Sequence, residues 1–240
     1  MILKMEDKEY LKDKFISIAM PAYNEEKIIP VVVRDAIKVL RSMTPRYELL
    51  VVDDGSSDRT GKILDSLASK DKHIRVIHFK ANKGVGYANH VIYRKVKGDL
   101  LFWNASDNQI HMETALLMLP YLQEHDLVVG NRALRADSLV RRLSSGLFSK
   151  LLRVRFRIPV KDIDSVKAYR ISSLKKIMPE SKTAFIESEL LIKAVRKKLR
   201  IIEIPIKHYP RMRGEAKGFR LRIIMPQLTQ LFRALFRTKW

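Results

Sequence analysis

The apolar positions of the first half fall into short runs separated by stretches of helical period. Residues 15–20, 48–52, 74–79, 100–103 and 127–129 are rich in Ile, Val, Leu and aromatics and read as buried strands. Between them, residue 25 to about 43, residues 60–68 and residues 85–96 space their apolar side chains as one face of a helix. Strands alternating with helices imply right-handed crossovers and a mostly parallel central sheet flanked by helices, the α/β class. Beyond residue 130 the pattern loosens. Basic helical stretches at 138–153 and 187–198 precede a strand-like run at 201–206. No repeat or low-complexity linker interrupts the chain, so this half reads as a continuation of the same domain.

In open sheets of this kind ligands bind in the crevice beyond the carboxyl ends of the strands. Polar clusters stand at three such ends. Pro21-Ala22-Tyr23-Asn24-Glu25 follows the first strand, Asp53-Asp54-Gly55-Ser56-Ser57-Asp58-Arg59-Thr60 the second, and Asn104-Ala105-Ser106-Asp107-Asn108-Gln109 the fourth. Asp53 directly follows apolar strand residues and so faces the crevice, where a carboxylate can accept hydrogen bonds from a base or a ribose. Ser57, Asp58 and Thr60 fit a ligand loop and a helix N-cap equally well, and Asp107 also fits a cap. Neither a GxGxxG opening nor a GxxxxGK[ST] loop is present, which argues against a dinucleotide or P-loop site.

Charge adds a second clue. Lys+Arg number 47 against 26 Asp+Glu, a net of +21. Residues 1–130 are nearly neutral, with 19 basic and 18 acidic side chains, while residues 131–240 hold 28 and 8. A basic half of this kind sits against something anionic: nucleic acid, a membrane surface or a phosphorylated substrate. A solvated basic surface of a heat-adapted protein is the plainer alternative. The absence of cysteine excludes disulfides, thiolate zinc sites and cysteine nucleophiles. The charged N-terminus lacks a signal-peptide core, and no run approaches the roughly 18 apolar residues of a membrane span, so a cytoplasmic location is expected.

The clusters MPAYNE, VVDDGSSDRT, NKGVG (82–86) and the acidic loop after Gly98-Asp99 together resemble the nucleotide-sugar glycosyltransferases of family 2, which have the GT-A fold. VVGNR at 128–132, RRLSS at 141–145, DIDSVKAYR at 162–170, FIESELL at 185–191 and EIPIKHYPRMRGEAKG at 203–218 narrow the resemblance. They are similar to the dolichol-phosphate mannose synthase branch, which moves a sugar onto a polyprenyl phosphate.

The resemblance implies an inverting, metal-dependent hexose transfer from a nucleotide-diphosphate sugar, GDP-mannose first and UDP-glucose second, to a polyprenyl or dolichyl phosphate. It implies that Pro21, Tyr23, Glu25, Asp53, Lys83 and Lys217 hold the donor nucleotide. Asp107, with Gln109 beside it, would ligate Mg²⁺ or Mn²⁺, which neutralises the leaving diphosphate. Arg132, Arg141, Arg142 and Ser145 would face the acceptor phosphate, for which an arginine fork suits bidentate binding. Arg211 would close over the diphosphate, and Asp107, Arg132 and Arg211 would carry the catalysis.

Two departures stand out: Ala105 occupies the place of the first acid of the family's Asp-x-Asp pair, unless Asn104 substitutes or the register is offset, and Val166 that of a common glycine. Asp162, Asp164, Glu187 and Glu189 fit acceptor orientation and burial as ion-pair partners equally well. One catalytic domain is expected over 1–217, with an acceptor-side basic half from about 131. The tail at 218–240 reads as a basic amphipathic helix for a membrane surface, or for docking onto the protein's own body. Partners implied are the sugar nucleotide, the polyprenyl phosphate, the cytosolic membrane face and a separate membrane subunit, with no nucleic acid. Two other readings compete: transfer to a hydroxyl, for which Asp162 or Glu187 would be the base, and a degenerate binding protein.

Overall fold

The computed structural model describes residues 4–132 and 149–210. Strands β1 (Ile16–Ala22), β2 (Tyr47–Asp53), β3 (Ile74–His78) and β4 (Leu100–Trp103) pair in parallel, with β1 between β2 and β4. Strands β5 (Leu127–Asn131), β6 (Lys167–Arg170) and β7 (Ile201–Pro205) complete a seven-stranded sheet of order β3-β2-β1-β4-β6-β5-β7. The chain winds outward from β1 to β3, then returns to place β4 on the other side of β1. That reversal puts a crevice beyond the carboxyl ends of β1 and β4, where doubly wound sheets bind ligands.

Both faces of the sheet are covered, which is why the central strands are apolar at nearly every position. Ile18 and Met20 of β1, Leu49 and Val51 of β2, and Phe102 of β4 point to the face packed by α2 (Ile29–Met43). Ala19, Leu50, Val52, Leu101 and Trp103 alternate to the other face, covered by α4 (Val85–Lys95) and α8 (Ile186–Arg196). The expected helices at 60–68 and 85–96 appear as α3 (Thr60–Ala68) and α4. Helix α2 begins at Ile29 instead of residue 25, because residues 25–28 form a turn in which the Ile28 and Ile29 amides both donate to the Glu25 carbonyl.

The main difference from the sequence pattern is β6, which runs antiparallel to β4 and β5 and pairs Trp103 with Lys167. Its four residues include a lysine, so no apolar run announces it. Short helices α1 (Met5–Lys12), α5 (Thr114–Met118) and α7 (Ile171–Lys176) were also not predicted. Of the expected helix at 138–153, residues 149–156 are helical (α6), while 138–148 lie outside the described residues. Among the described residues, no helix is long and apolar enough to cross a membrane.

Candidate functional site

The loops after β1 and β2 are fastened to each other by side chains. Asn24 adopts a left-handed φ of 53°, and its amide donates to Ser56 Oγ at 3.0 Å while its Oδ1 accepts the Ser57 amide at 2.8 Å. The Glu25 amide donates to Thr60 Oγ1 at 2.8 Å and the Glu26 amide to Asp58 Oδ2 at 3.1 Å. Asp58 Oδ1 also accepts the Thr60 amide, as Asp does at the start of a helix. Ser57, Asp58 and Thr60 therefore clamp one loop to the other. Ser106 Oγ donates to the Pro21 carbonyl at 2.8 Å and ties in the loop after β4. All three clusters thus meet at one edge of the sheet, with Pro21, Tyr23 and Glu25 partly exposed there.

Asp53 and Asp54 divide the work at the end of β2. Asp53 is buried; its Oδ1 accepts the Ser56 amide at 3.0 Å and its Oδ2 faces His78 Nδ1 at 2.9 Å. The other nitrogen of His78 reaches Asp65 Oδ1 at 3.0 Å, so one imidazole bridges two acids. Burial pulls the His78 ring down, but the hydrogen bonds and charges of Asp53 and Asp65 outweigh it and the ring titrates above its ordinary value. Asp54 accepts the amides of Lys83 (2.8 Å) and Gly84 (2.9 Å) and the Asn82 side chain (3.0 Å). Burial pushes its carboxyl up, and the two amides oppose that without cancelling it. Asp54 thereby moulds the 82–84 loop, where Gly84 has φ +89°. It leaves the exposed Lys83 with its Nζ 4.7 Å from the Tyr87 ring centroid and 5.4 Å from that of Phe79. Gly55 turns the chain here at φ +67°, and a Cβ on it would lie 2.4 Å from the Ala81 carbonyl carbon.

After β4, Asn104 is consumed by its own loop. Its Nδ2 donates to the Ile110 carbonyl at 2.8 Å and its Oδ1 accepts the Ala105 amide at 2.9 Å. Asn104 is thus a buried clip and does not replace the acid absent at Ala105. Asp107 is partly exposed and its Oδ1 accepts the Gln109 amide at 3.2 Å. Gln109 and Tyr209 bond through their backbones (2.8 Å), and His111 stacks on the Tyr209 ring at 4.1 Å between centroids. Among the described residues, no group of three or more His, Asp or Glu is placed to hold a metal ion. Asp107 and Gln109 offer two oxygen-donor side chains at the crevice.

On the far side, Arg132 at the end of β5 meets Asp162 as a fork, with Nε at 2.7 Å from Oδ2 and Nη2 at 2.8 Å from Oδ1. Both side chains are largely buried. Glu203 of β7 accepts the amides of Lys161 and Asp162 at 2.7 and 2.8 Å and so fixes the acid in turn. Asp162 is therefore a partner of arginine, and much of the Arg132 fork expected to hold acceptor phosphate is engaged by it. Glu187 pairs with the fully buried Lys167 at 2.9 Å, and Glu189 with Lys193 at 2.7 Å. Asp164 is the exposed acid of this group, with Lys167 and Arg132 the cations nearest it in charge. Arg141, Arg142, Ser145, Arg211 and Lys217, and the tail at 218–240, lie outside the described residues.

A family model described as glycosyl transferase family 2 matches residues 17–178, which contain all three loops and β6. The chain belongs to glycosyl transferase family 2. Among relatives of this family-2 chain, the undecaprenyl-phosphate 4-deoxy-4-formamido-L-arabinose transferase of Edwardsiella ictaluri is 31% identical over 216 residues, covering 88% of this chain and 65% of that protein. Glycosyltransferase AglD of Haloferax volcanii is 28% identical over 229 residues, 91% of this chain and 36% of its own length. The chain spans less than two thirds of the length of these curated relatives. A solved structure of glucosyl-3-phosphoglycerate synthase from Mycobacterium tuberculosis, in complex with Mn²⁺, UDP and phosphoglyceric acid, superposes with a TM-score of 0.76 at 19% identity, covering all of this chain and 85% of that one. The family-2 chain thus has the GT-A fold expected from its motifs.

Two side-chain clusters of the family-2 chain were not legible in the sequence. His78 stands as a lone histidine at a strand end, and its bridging role depends on Asp65, thirteen positions earlier on α3. The buried set of Lys167, Glu187, Asn89, Tyr93 and Trp103 is assembled from four elements. Asn89 Nδ2 and the Tyr93 hydroxyl donate to Glu187 Oε1 at 3.0 and 2.7 Å, and Trp103 Nε1 donates to Asn89 at 3.1 Å. A lysine and a glutamate twenty positions apart gave the only signal, and it was indistinguishable from surface charge.

Proposed function

We propose that this chain is the catalytic part of a transferase that moves a sugar from a nucleotide diphosphate to a polyprenyl phosphate at a membrane surface. One observation carries the reading: the loops after β1, β2 and β4, which bear Asp53 and Asp107, are bound into a single rim. That rim suits a nucleoside at Asp53 and a diphosphate at Asp107. A divalent cation fits the donors present, because Mg²⁺ is commonly held by one or two protein oxygens with the rest supplied by phosphate and water. Asp107 and Gln109 would hold it, and when bound it would neutralise charge on the departing diphosphate.

The donor sugar is a nucleotide-linked hexose or pentose. The mannose expected from the motifs is one arm of the assay, since the Edwardsiella relative is named for a formamido-arabinose. The acceptor's own ionised phosphate oxygen attacks the anomeric carbon from the face opposite the diphosphate, and the anomeric configuration inverts. No general base is needed for such a nucleophile. The closure of Asp162 and Glu187 in ion pairs supports this acceptor over a hydroxyl, which would require one of them as base. Association with the cytosolic membrane face, and with a membrane subunit, belongs to the same proposal.

A transfer assay tests it. Protein, Mn²⁺ or Mg²⁺ and polyprenyl phosphate are incubated with labelled UDP-glucose, GDP-mannose or a UDP-linked pentose, and label is followed into the organic phase. Transfer from one donor is expected. Asp107→Ala should lower the rate by about 10²-fold or more with an unchanged circular dichroism spectrum, since charge neutralisation by a metal contributes several kcal/mol. Near-normal turnover of Asp107→Ala would remove the metal role, and transfer to a glycan hydroxyl alone would remove the acceptor class.

A further inference from the structure

The segment after β7 leaves its strand neighbour and returns to the loop that carries Asp107 and Gln109. The Ile206 amide is still bonded to β5, at the Asn131 carbonyl (2.9 Å), and the Ile206 side chain is buried in the core. Three residues on, the Tyr209 amide donates to the Gln109 carbonyl at 2.8 Å, in the loop after β4, a strand that stands three places away in the sheet. The Tyr209 carbonyl in turn lies 3.4 Å from Gln109 Nε2. A carbonyl accepts and cannot donate, so it meets the amide nitrogen of Gln109 and turns Oε1 away from the 206–210 segment. The His111 and Tyr209 rings lie flat on each other, 4.1 Å between centroids and 7° from parallel. Tyr209 is 37% exposed, so its ring belongs to this stack more than to the core.

The same loop is pinned from inside by Asn104, whose Nδ2 holds the Ile110 carbonyl, and Asn108 turns it at a left-handed φ of 57°. Residues 107–111 are therefore held from both sides. We propose that Tyr209 and His111 are positioning residues for the divalent cation: their stack holds the 206–210 segment against the loop and presents Gln109 Oε1 beside Asp107 before any cation arrives. The inference rests on the cation reading of Asp107 and Gln109 given above. Ala105 makes the device matter. With alanine at that position the loop offers the side-chain oxygens of Asp107 and Gln109, and a small cation demands near-octahedral placement of each ligand. So sparse a set gains little to offset the ordering of its own loop. Two rings outside the coordination sphere do that ordering in advance.

The test is Mn²⁺ binding to the full chain in the presence of UDP or GDP, without acceptor, with free Mn²⁺ read from its electron paramagnetic resonance signal. Tyr209→Ala and His111→Ala should each weaken binding by about tenfold, the lower end of what outer-shell partners contribute, with an unchanged circular dichroism spectrum. Tyr209→Phe and His111→Phe keep a flat ring and should bind Mn²⁺ as the wild type does. The two alanine losses should not add in the double variant, because one stack is lost only once. Wild-type affinity in Tyr209→Ala, or additive losses, would overturn the proposal. So would weak binding by His111→Phe with normal binding by Tyr209→Ala, which would make the imidazole itself a ligand. A wild-type chain that binds no Mn²⁺ with either nucleotide would overturn the cation reading of Asp107 and Gln109, and this inference with it.

Discussion

The Arg132 guanidinium holds Asp162 by two parallel bonds, and the backbone amides of Lys161 and Asp162 both donate to Glu203, which fixes the acid's position. A buried charge that loses its partner costs about 3–5 kcal/mol. Arg132→Ala should therefore lower unfolding free energy by about that amount, an effect separate from any loss of acceptor affinity. Denaturant melts of Arg132→Ala, Asp162→Asn and the double variant measure this: the double variant should be more stable than the sum of the two losses predicts. Additive losses would mean that the pair contributes little. Arg132→Lys keeps the charge and loses the fork, so it should recover only part of the stability.

At the level of elements, the alternation of apolar runs and helical periods located β1 to β5 and β7 to within a few residues, because buried parallel strands have to be apolar on both faces. It could not locate β6, whose middle strand position in the sheet is filled by Lys167. The lysine is tolerated because Glu187, the Ser165 carbonyl at 3.0 Å and the Trp103 ring face at 5.7 Å surround its ammonium. Of those partners only Ser165 is near in the sequence; Glu187 and Trp103 are twenty and sixty-four positions away. The rim was legible as three polar clusters at strand ends, but what each acid braces was not: Asp53 and Asp54 are neighbours of one type, yet one holds the Ser56 amide and His78 and the other the 82–84 loop. Lys167→Met should destabilise by about 3–5 kcal/mol by stranding Glu187, and Lys167→Met/Glu187→Gln should recover much of the loss. Equal instability of the single and double variants in urea melts would show that the lysine's packing, and not its charge, secures β6.

For the whole molecule, stability depends on pH through groups with opposed shifts. His78 titrates above its ordinary value when folded, so its contribution is complete below about pH 6.5 and is lost as pH rises through the raised value. His90, pulled down by burial and then by the charges of Arg94 and Lys182, works in the opposite sense. The difference between wild type and His78→Gln isolates the first: wild type should lose its advantage as pH rises above about 6.5, and a difference that stays constant with pH would show that the imidazole's charge contributes nothing. Asp126 is desolvated by burial, yet the Arg200 amide and the Ser173 hydroxyl hold it below its usual range; its contribution is present at neutral pH and lost as the medium turns acid.

The out-of-order strand also has a consequence for synthesis. On the ribosome, β1 to β4 emerge as a contiguous four-stranded sheet whose β4 edge has no neighbour until Lys167–Arg170 arrives, more than sixty residues later. For several seconds, at elongation rates of about 5–20 residues per second, the nascent chain carries an open edge of Leu-Leu-Phe-Trp with unpaired backbone groups. Lys167 is thus the residue whose arrival, with Glu187 still to follow, begins to shield that edge from other nascent chains.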